Sequence, residues 1–327
     1  MGKLAATLGI GVKGSVAIRL EGTVYRPGET LIGQVTLRID EAFDGKAFEM
    51  TIAGEETLKW GTRRSSSHTL DQNQTVYDHH ERRRHLLYHQ LVFATPQRYA
   101  PGDYVYPFEV ALPCGLPSTV DYRASRVSDM QDIHGSVFYY ATASLPVDGT
   151  FKADLSSYHS FEIASAPQRL PQSLQASATE EVCLLGLVKQ GQCKLTATLV
   201  SDALQTGEAA EIQCSIQNES RMRAQRVSTY LVQDIELLPS EGWAWSRVKS
   251  STVSVAEYQG LEAGQTKDIL IRPPMLAISY FSGSALLLPS FQGQFLRISY
   301  RLEIKCKYTL CTGTSIEFPL TIVPAGA

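Results

Sequence analysis

The chain has 327 residues, 43% of them apolar and 19% charged, a composition typical of a folded protein with two domains of about 150 residues each. Its 30 basic and 33 acidic residues give a formal net charge of −3, which argues against a general polyanion or nucleic-acid binder. No apolar run reaches the roughly 18 residues of a membrane-spanning helix, so the sequence argues against an integral membrane protein.

The N-terminal part of the chain shows the side-chain alternation of half-buried strands. Apolar residues occupy every second position from Val16 to Leu20, and again from Leu31 to Ile39. Between these segments, Pro27 fixes φ at the second position of a turn and Gly28 accepts a positive φ at the third. The sequence therefore predicts two strands joined by a tight reversal of the chain.

The same two-residue period returns along the rest of the chain, and no long helical stripe interrupts it. Short strands separated by Gly and Pro in this way predict an all-β fold made of antiparallel β-sandwiches. The further predicted strands cover residues 48–52, 104–112, 137–145, 195–199, 212–216, 227–231, 296–304 and 316–322.

A segment near the middle of the chain differs in composition from both halves. Residues 164–181 read ASAPQRLPQSLQASATEE and contain few large apolar side chains. Such a stretch is typical of a boundary between domains. We therefore predict a first domain over residues 1–166, a linker over residues 167–182 and a second domain over residues 183–327.

The two halves also share a pattern. The phrase YRPGETLIGQVTL of the first half returns as LQTGEAAEIQCSI in the second. Later segments around Gly102 and Tyr139 are echoed, in the same order, around Gly264 and Tyr300. Three matched segments in one order indicate an internal duplication.

Cysteine usage indicates a reducing compartment. The chain has six cysteines, none of them in a C-x-x-C pair, and its first residues, MGKLAATLG, lack the features of a secretory signal. Cysteines in such a chain are expected to stay reduced. We therefore expect a cytoplasmic protein.

Six motifs follow one another in an order shared with a known family. In the first half these are VYRPGETLIGQVTL, MTIAGEETLKW, YVYPFEVALPCGLPST and GSVFYYATASL, and in the second half QTGEAAEIQCSIQNES and LLLPSFQGQFLRISYRLEI. Through them nearly the whole chain resembles the arrestin family, and within it the α-arrestins. The resemblance implies two tandem immunoglobulin-like antiparallel β-sandwich domains, the arrestin fold.

The resemblance also implies a function. By this resemblance, the protein is expected to be a non-enzymatic adaptor or scaffold, without cofactors, that binds cytoplasmic tails of membrane transporters or receptors. Such an adaptor brings ubiquitin ligases or coat proteins to them in endocytic trafficking, with peripheral contact at the plasma membrane or endosomes. The alternative is a constitutive structural subunit of an endosomal sorting coat, comparable to the arrestin-like subunit of retromer.

Two features of known arrestins are missing from the sequence. α-Arrestins carry Pro-Pro-x-Tyr motifs that dock on WW domains of ubiquitin ligases, but here Pro273-Pro274 is followed by Met275 and Leu276. Visual and β-arrestins present paired lysines to receptor phosphates, whereas Lys13 stands alone. We therefore predict neither that route to a ligase nor sensing of phosphorylated receptors.

A polar insert over residues 61–99 concentrates positive charge, with six arginines against three acidic residues. Guanidinium groups pair well with phosphate, so these arginines are candidates for contact with phosphorylated tails or anionic lipid head groups. A solvated surface loop explains the same composition, and the sequence favours that simpler interpretation. The candidate anion-contacting residues are Arg63, Arg64, Arg82, Arg83 and Arg84.

The same insert contains a candidate modification site. Ser65, Ser66 and Ser67 directly follow two arginines, a pattern typical of substrates of basic-directed kinases. Phosphate on these serines would lower the positive charge of the insert and weaken any anion binding.

Histidines in the insert do not have the spacing of a known metal site. The stretch HHERRRH places His80 and His85 five residues apart, whereas H-E-x-x-H requires four. His85 and His89 are four apart, but a pair alone is a weak indication of a metal ligand set. Nucleophile-elbow and phosphate-loop motifs are also absent from the sequence. We predict no metal site and no enzyme, and a metal-dependent hydrolase is the least supported class.

Overall fold

The computed structural model describes residues 14–63, 77–147, 154–166, 169–240, 246–279, 283–285 and 287–324. Every regular element in this part of the chain is a β-strand, which confirms the all-β prediction. Accordingly, these residues include no helix that would cross a bilayer. The chain divides into two compact units, Met1–Ser125 with Gln131–Ser165, and Arg126–Met130 with Ala166–Ala327.

The first half of the chain forms two main sheets. One has the order β1-β3-β8, and the other has the order β2-β11-β10-β5-β6 with β9 paired to β10, while β4 and β7 form a small ribbon. The strands are β1 (Gly14–Leu20), β2 (Val24–Tyr25), β3 (Thr30–Ile39), β4 (Phe43–Gly45), β5 (Phe48–Arg63), β6 (Tyr77–Ala94), β7 (Gln97–Tyr99), β8 (Gly102–Ala111), β9 (Val120–Val127), β10 (Met130–Leu145) and β11 (Leu155–Ile163).

The second half repeats this arrangement with one further strand, β12, at the edge of its smaller sheet. One sheet has the order β12-β13-β15-β18, and the other has the order β14-β23-β22-β16-β17 with β21 paired to β22, while β19 and β20 form a ribbon. The strands are β12 (Leu174–Leu184), β13 (Val188–Leu199), β14 (Ala203–Gln205), β15 (Ile212–Asn218), β16 (Ala224–Leu237), β17 (Arg247–Leu261), β18 (Thr266–Ile271), β19 (Ala277–Ser279), β20 (Gly283–Ala285), β21 (Phe291–Gln292), β22 (Leu296–Tyr308) and β23 (Thr314–Val323).

The two sandwiches share a detail of pairing that supports the predicted duplication. The short strand β2 pairs in parallel with β11, and the short strand β14 pairs in parallel with β23. Both short strands lie in sequence between two strands of the opposite sheet. The prediction of two tandem antiparallel β-sandwiches is therefore confirmed, with one short parallel strand at the same place in each.

The core of each unit lies between its two sheets and follows the predicted alternation. On β10 every second residue from Val137 to Leu145 is fully buried, and on β22 every second residue from Leu296 to Ile304 is buried in the same way. Burial of a large apolar side chain stabilises a fold by about 1.5–3 kcal/mol. These two central strands therefore anchor the two sandwiches.

The repeated turns are equivalent at the level of single hydrogen bonds. In the first, Glu29 N–H donates to Arg26 O at 3.1 Å, and Arg26 N–H donates to Glu29 Oε2 at 2.8 Å. In the second, Glu208 N–H donates to Gln205 O at 3.1 Å, and Gln205 N–H donates to Glu208 Oε2 at 2.8 Å. A glutamate side chain closes both turns by accepting a backbone hydrogen bond. This shared role explains why Glu follows the turn glycine in both sequence segments.

The two tyrosines that the sequence matched also make equivalent contacts. Tyr139 donates its hydroxyl to Pro117 O at 2.8 Å, and Tyr300 donates its hydroxyl to Leu288 O at 2.8 Å. Tyr300 additionally accepts a hydrogen bond from Gln233 Nε2 at 2.6 Å. Burial raises the pKa of both hydroxyls well above the usual tyrosine value, so both remain neutral donors.

Two sequence interpretations need correction. Strand β12 begins at Leu174, so the residues from there to 182 belong to the second sandwich and not to a linker. The sequence did not predict this strand, because β12 is a half-buried edge strand whose small polar side chains lack the apolar alternation of a buried strand. The interpretation of the insert as a surface loop is wrong for Tyr77–Ala94, which pairs with β5 along its whole length.

The turn glycines should differ in their tolerance of alanine. Gly28 and Gly207 have φ of 86° and 92°, a region that costs an alanine about 1–2 kcal/mol. A Cβ on Gly28 would also lie 3.2 Å from Cys114 Sγ, whereas a Cβ on Gly207 would meet nothing within 4 Å. We expect chemical denaturation to show a larger loss for Gly28→Ala than for Gly207→Ala. Gly115→Ala is the control without a positive φ, and an equal loss there would contradict the argument.

The matched tyrosines allow a second test. Tyr139→Phe removes one hydrogen bond to a carbonyl and should lower the free energy of unfolding by about 1 kcal/mol. Tyr300→Phe should cost about 2 kcal/mol, because the Gln233 amide also loses its acceptor. Adding Gln233→Leu to Tyr300→Phe should recover the difference. Equal losses for the two single variants would show that the Gln233 contact contributes nothing.

Candidate functional site on the β5–β6 hairpin

The candidate arginines lie on a long hairpin of the first unit. Its strand β5 lies between β10 and β6, and β6 is the outermost strand of the sheet. The register runs from Phe48 opposite Ala94 to Arg63 opposite Tyr77, with two irregularities, one between Phe48 and Glu49, where Phe93 is the extra residue of β6, and one between Gly54 and Glu55. At the second, β6 contains one extra residue, Leu86, which reverses the alternation of faces along that strand.

The structure brings together only some of the predicted site residues. Arg63 is exposed at the end of β5, opposite Tyr77. Arg82, Arg83 and Arg84 lie consecutively on β6, so their side chains alternate between the two faces of the sheet. Arg64 and Ser65, Ser66 and Ser67 lie outside the described residues.

Two adjacent carboxylates, which the sequence analysis missed, lie buried on the partner strand. Glu55 is 3% exposed and Glu56 is fully buried, and both belong to the central strand β5. An ionised carboxylate taken out of water costs several kcal/mol unless it is paired and hydrogen-bonded. The signal in the sequence was the pair of acids inside the otherwise apolar motif MTIAGEETLKW.

Glu56 pairs with the arginine opposite to it. Arg84 Nε lies 2.7 Å from Glu56 Oε2, and the two residues are directly paired in the register of β5 and β6. Gly54, two positions earlier on the same face, leaves room for the Tyr139 ring, which a Cβ there would approach to 2.4 Å. The charge pair therefore lies beside a densely packed part of the first core.

Glu55 lies on the opposite face and has three neighbours. Tyr140 donates its hydroxyl to Glu55 Oε1 at 3.0 Å, and Arg83 Nη1 lies 3.4 Å from Glu55 Oε2. His85 Nδ1 lies 3.7 Å from Glu55 Oε1. Arg83 also donates from Nη2 to Glu81 Oε1 at 2.9 Å. Arg83 therefore joins a buried carboxylate to an exposed one.

The titration behaviour of these groups reflects their pairing. The hydrogen bond from Arg83 lowers the pKa of Glu81, and Glu81 and then Glu55 raise the pKa of Arg83. Burial, followed by the hydrogen bond to Glu55, raises the pKa of Tyr140. Arg83 and Arg84 are thus already paired with carboxylates of their own chain. An external phosphate would compete with these partners.

An aromatic stack covers part of the same outward face. The rings of Phe138 and Tyr140 stack at 5.6 Å with an interplanar angle of 17°, and those of Tyr140 and Tyr158 stack at 5.4 Å with 26°. Thr57 and Ser136 are hydrogen-bonded at 2.8 Å between the buried parts of β5 and β10. This face therefore combines stacked aromatic rings with paired charged groups.

The histidines of the insert do not converge. The His80 ring stacks on Trp60 with centroids 5.1 Å apart, and its Nε2 lies 2.8 Å from Thr62 Oγ1. His85 and His89 lie on opposite faces, because the extra residue Leu86 separates them. In the described part of the chain, no group of three or more His, Cys, Asp or Glu is arranged to hold a metal ion.

The two ion pairs should differ in their contribution to stability. Arg84→Ala leaves the fully buried Glu56 without its guanidinium partner, so we expect the free energy of unfolding to fall by about 2 kcal/mol. Arg83→Ala should cost less, because Glu55 keeps the hydrogen bond from Tyr140. Chemical denaturation at neutral pH measures both. A larger loss for Arg83→Ala than for Arg84→Ala would contradict the assigned pairing.

Both units match models of known protein families. A family model described as "Arrestin (or S-antigen), N-terminal domain" matches residues 15–163, and one described as "Arrestin (or S-antigen), C-terminal domain" matches residues 189–325. A search of curated protein sequences found no match. The two domain matches follow each other in the order of the two sandwiches and together span most of the chain. The protein therefore belongs to the arrestin family.

Proposed function

We propose that the protein is a non-enzymatic adaptor or scaffold that binds cytoplasmic segments of membrane transporters or receptors. The observation that carries this proposal is the ordered match of both sandwiches to arrestin domains, since arrestin-family proteins are in general trafficking and signalling adaptors. In this proposal it acts in endocytic trafficking or ubiquitin-linked sorting. The six ordered sequence motifs further favour the α-arrestin type.

The proposed location is the cytoplasm, with peripheral contact at the plasma membrane or endosomes. All six cysteines are free thiols, and three of them, Cys193, Cys214 and Cys306, are buried in the second sandwich. Such thiol usage fits a reducing compartment. Burial raises the pKa of the Cys214 thiol to about 12, so this side chain acts as a small apolar residue of the core.

A secondary proposal concerns the arginine-rich hairpin. The candidates for contact with phosphorylated tails or anionic lipid are Arg63, Arg64 and Arg82. Arg83 and Arg84 are candidates only where an anion displaces their carboxylate partners, Glu55 and Glu56. Phosphorylation of Ser65, Ser66 or Ser67 would weaken this contact by adding negative charge. The internal ion pairs described above make Arg83 and Arg84 less available to an anion than the sequence alone suggests.

Affinity purification from the native cell tests the adaptor proposal. We expect transporters or receptors to accompany the tagged chain at low and variable occupancy, as measured by quantitative mass spectrometry against a tag-only control. Coat subunits present in a fixed stoichiometric ratio would instead support the alternative, a structural subunit of an endosomal sorting coat. Absence of both membrane proteins and coat subunits would overturn the adaptor proposal.

A further inference from the structure

Strand β6 presents a sheet edge that has no proline and no Asp, Glu, Lys or Arg in the regular stretch between its two bulges, at Leu86 and Phe93. It pairs with β5 on one side, and no strand is paired to its other side in the described part of the chain. Its C-terminal half, residues 86–94, reads LLYHQLVFA and contains no Pro, Gly, Asp, Glu, Lys or Arg. An edge of this kind carries a row of backbone N–H and C=O groups that are free to pair with a further strand.

Several other edges in the described residues carry the usual protective features. Strand β8, at the edge of the neighbouring sheet, has Pro107 in its middle, opposite Gln34. Strand β23 has Pro319 in the part that β14 leaves uncovered. Proline has no N–H to offer and is a known protection of sheet edges. Strands β2 and β14 protect their edges by being only two and three residues long.

The equivalent strand of the second unit differs from β6. Strand β17 occupies the same place in the sheet order, at the edge beside β16. It carries the charged residues Arg247, Lys249 and Glu257, and strands β18 and β19 lie close to it. A charged and partly covered edge is a poorer template for strand addition. β17 therefore provides an internal control for β6.

Apolar side chains of the β6 edge lie on both faces of the sheet, beside the exposed polar residues His89 and Gln90. On the outward face, Tyr88 is 63% exposed and Val92 is 58% exposed. On the other face, the Phe93 ring stacks on Tyr106 of β8 at 5.2 Å, with Phe48 at 5.5 Å behind it. A strand added next to β6 would therefore find apolar neighbours for its side chains on both sides.

We propose that the free edge of β6 from Leu86 to Ala94 binds an extended, uncharged peptide segment with apolar side chains at alternate positions. The segment adds to the sheet as a further strand, with main-chain hydrogen bonds for affinity and contacts to Tyr88, Val92 and Phe93 for selectivity. This inference rests on the proposed adaptor function, because it says where such an adaptor holds its partner peptide.

The charges of the hairpin favour an uncharged segment over an acidic or phosphorylated one. Residues 86–94 contain no Asp, Glu, Lys or Arg, and the neighbouring carboxylate of Glu49 already accepts a hydrogen bond from Gln90 Nε2 at 2.9 Å, so a buried charge on the partner would find little compensation there. The neighbouring cations Arg83 and Arg84 are paired with Glu55, Glu56 and Glu81. A charged partner would gain little from the arginines and would lose hydration at the apolar edge.

A binding experiment with matched variants tests the inference. The probe is a fluorescein-labelled peptide of alternating valine and threonine with terminal lysines, followed by fluorescence anisotropy with the full chain. The β6 variant is Tyr88→Lys with Val92→Lys, and the control is Val248→Lys with Val255→Lys on β17, where the side chains are similarly exposed at 59% and 45%. Circular dichroism checks that both variants are folded.

We expect the unmodified chain and the β17 control to bind the peptide with equal affinity, and the β6 variant to bind at least tenfold more weakly. A peptide N-methylated at every amide should not bind, because it has no N–H groups to donate. Hydrogen exchange of the unmodified chain gives a readout that does not depend on the variants. There the amides of residues 86–94 should become protected when the peptide is added.

Several results would overturn the inference. These are equal binding by the β6 variant, equal binding of the N-methylated peptide, preference for an acidic phosphopeptide of the same length, or protection at β17 instead of β6. Sedimentation that shows a dimer of the unmodified chain and a monomer of the β6 variant would also overturn it, since a second copy would then occupy the edge.

The same variants separate this inference from the proposed function. If the β6 variant captures membrane proteins from cells as well as the unmodified chain does, the edge inference is wrong and the adaptor proposal stands. If the unmodified chain captures none but the peptide still adds to β6, the adaptor proposal is wrong and the edge is a binding site for another partner.

Discussion

The structure depends on alternate burial along its strands. A strand sends successive side chains to opposite faces, so a sheet packs on another only when its apolar residues recur at every second position. Strands β10 and β22 satisfy this condition over their predicted segments, and each pairs with a long strand that also faces the core. The tight turns, the buried tyrosines and the hairpin of the candidate site all take their positions from these two central strands.

Alternation made the fold class, the two sandwiches and their repeated turns predictable from the sequence. Prediction from alternation failed where a strand does not have one solvent-exposed face and one buried face. Residues Ile52–Leu58 of β5 are buried on both faces, so two glutamates sit among apolar residues and their arginine partners come from another strand. Strand β6 reads as a loop for the converse reason, because an edge strand needs only backbone pairing and can carry polar side chains.

The two units differ in the side chains on their outward faces. The aromatic stack and the Glu55 cluster occupy this face in the first unit. In the second unit, Lys305 and Lys307 lie 5.4 and 4.8 Å from the centroid of the Tyr230 ring, and Arg301 pairs with Asp234. The same strand order thus presents stacked aromatic rings on the outward face of the first unit and paired charges on that of the second. Divergence on these faces leaves the interior of each sandwich unchanged, since it alters only side chains that point away from the core.

The short parallel strands β2 and β14 have a consequence for how each unit forms. In both units the chain leaves one sheet, contributes this short strand to the other, and returns through the glycine turn to the first. Neither sheet is therefore built from a continuous stretch of chain, and this exchange of short strands couples the formation of the two sheets. Non-local pairing of this kind slows folding, typically to milliseconds or seconds.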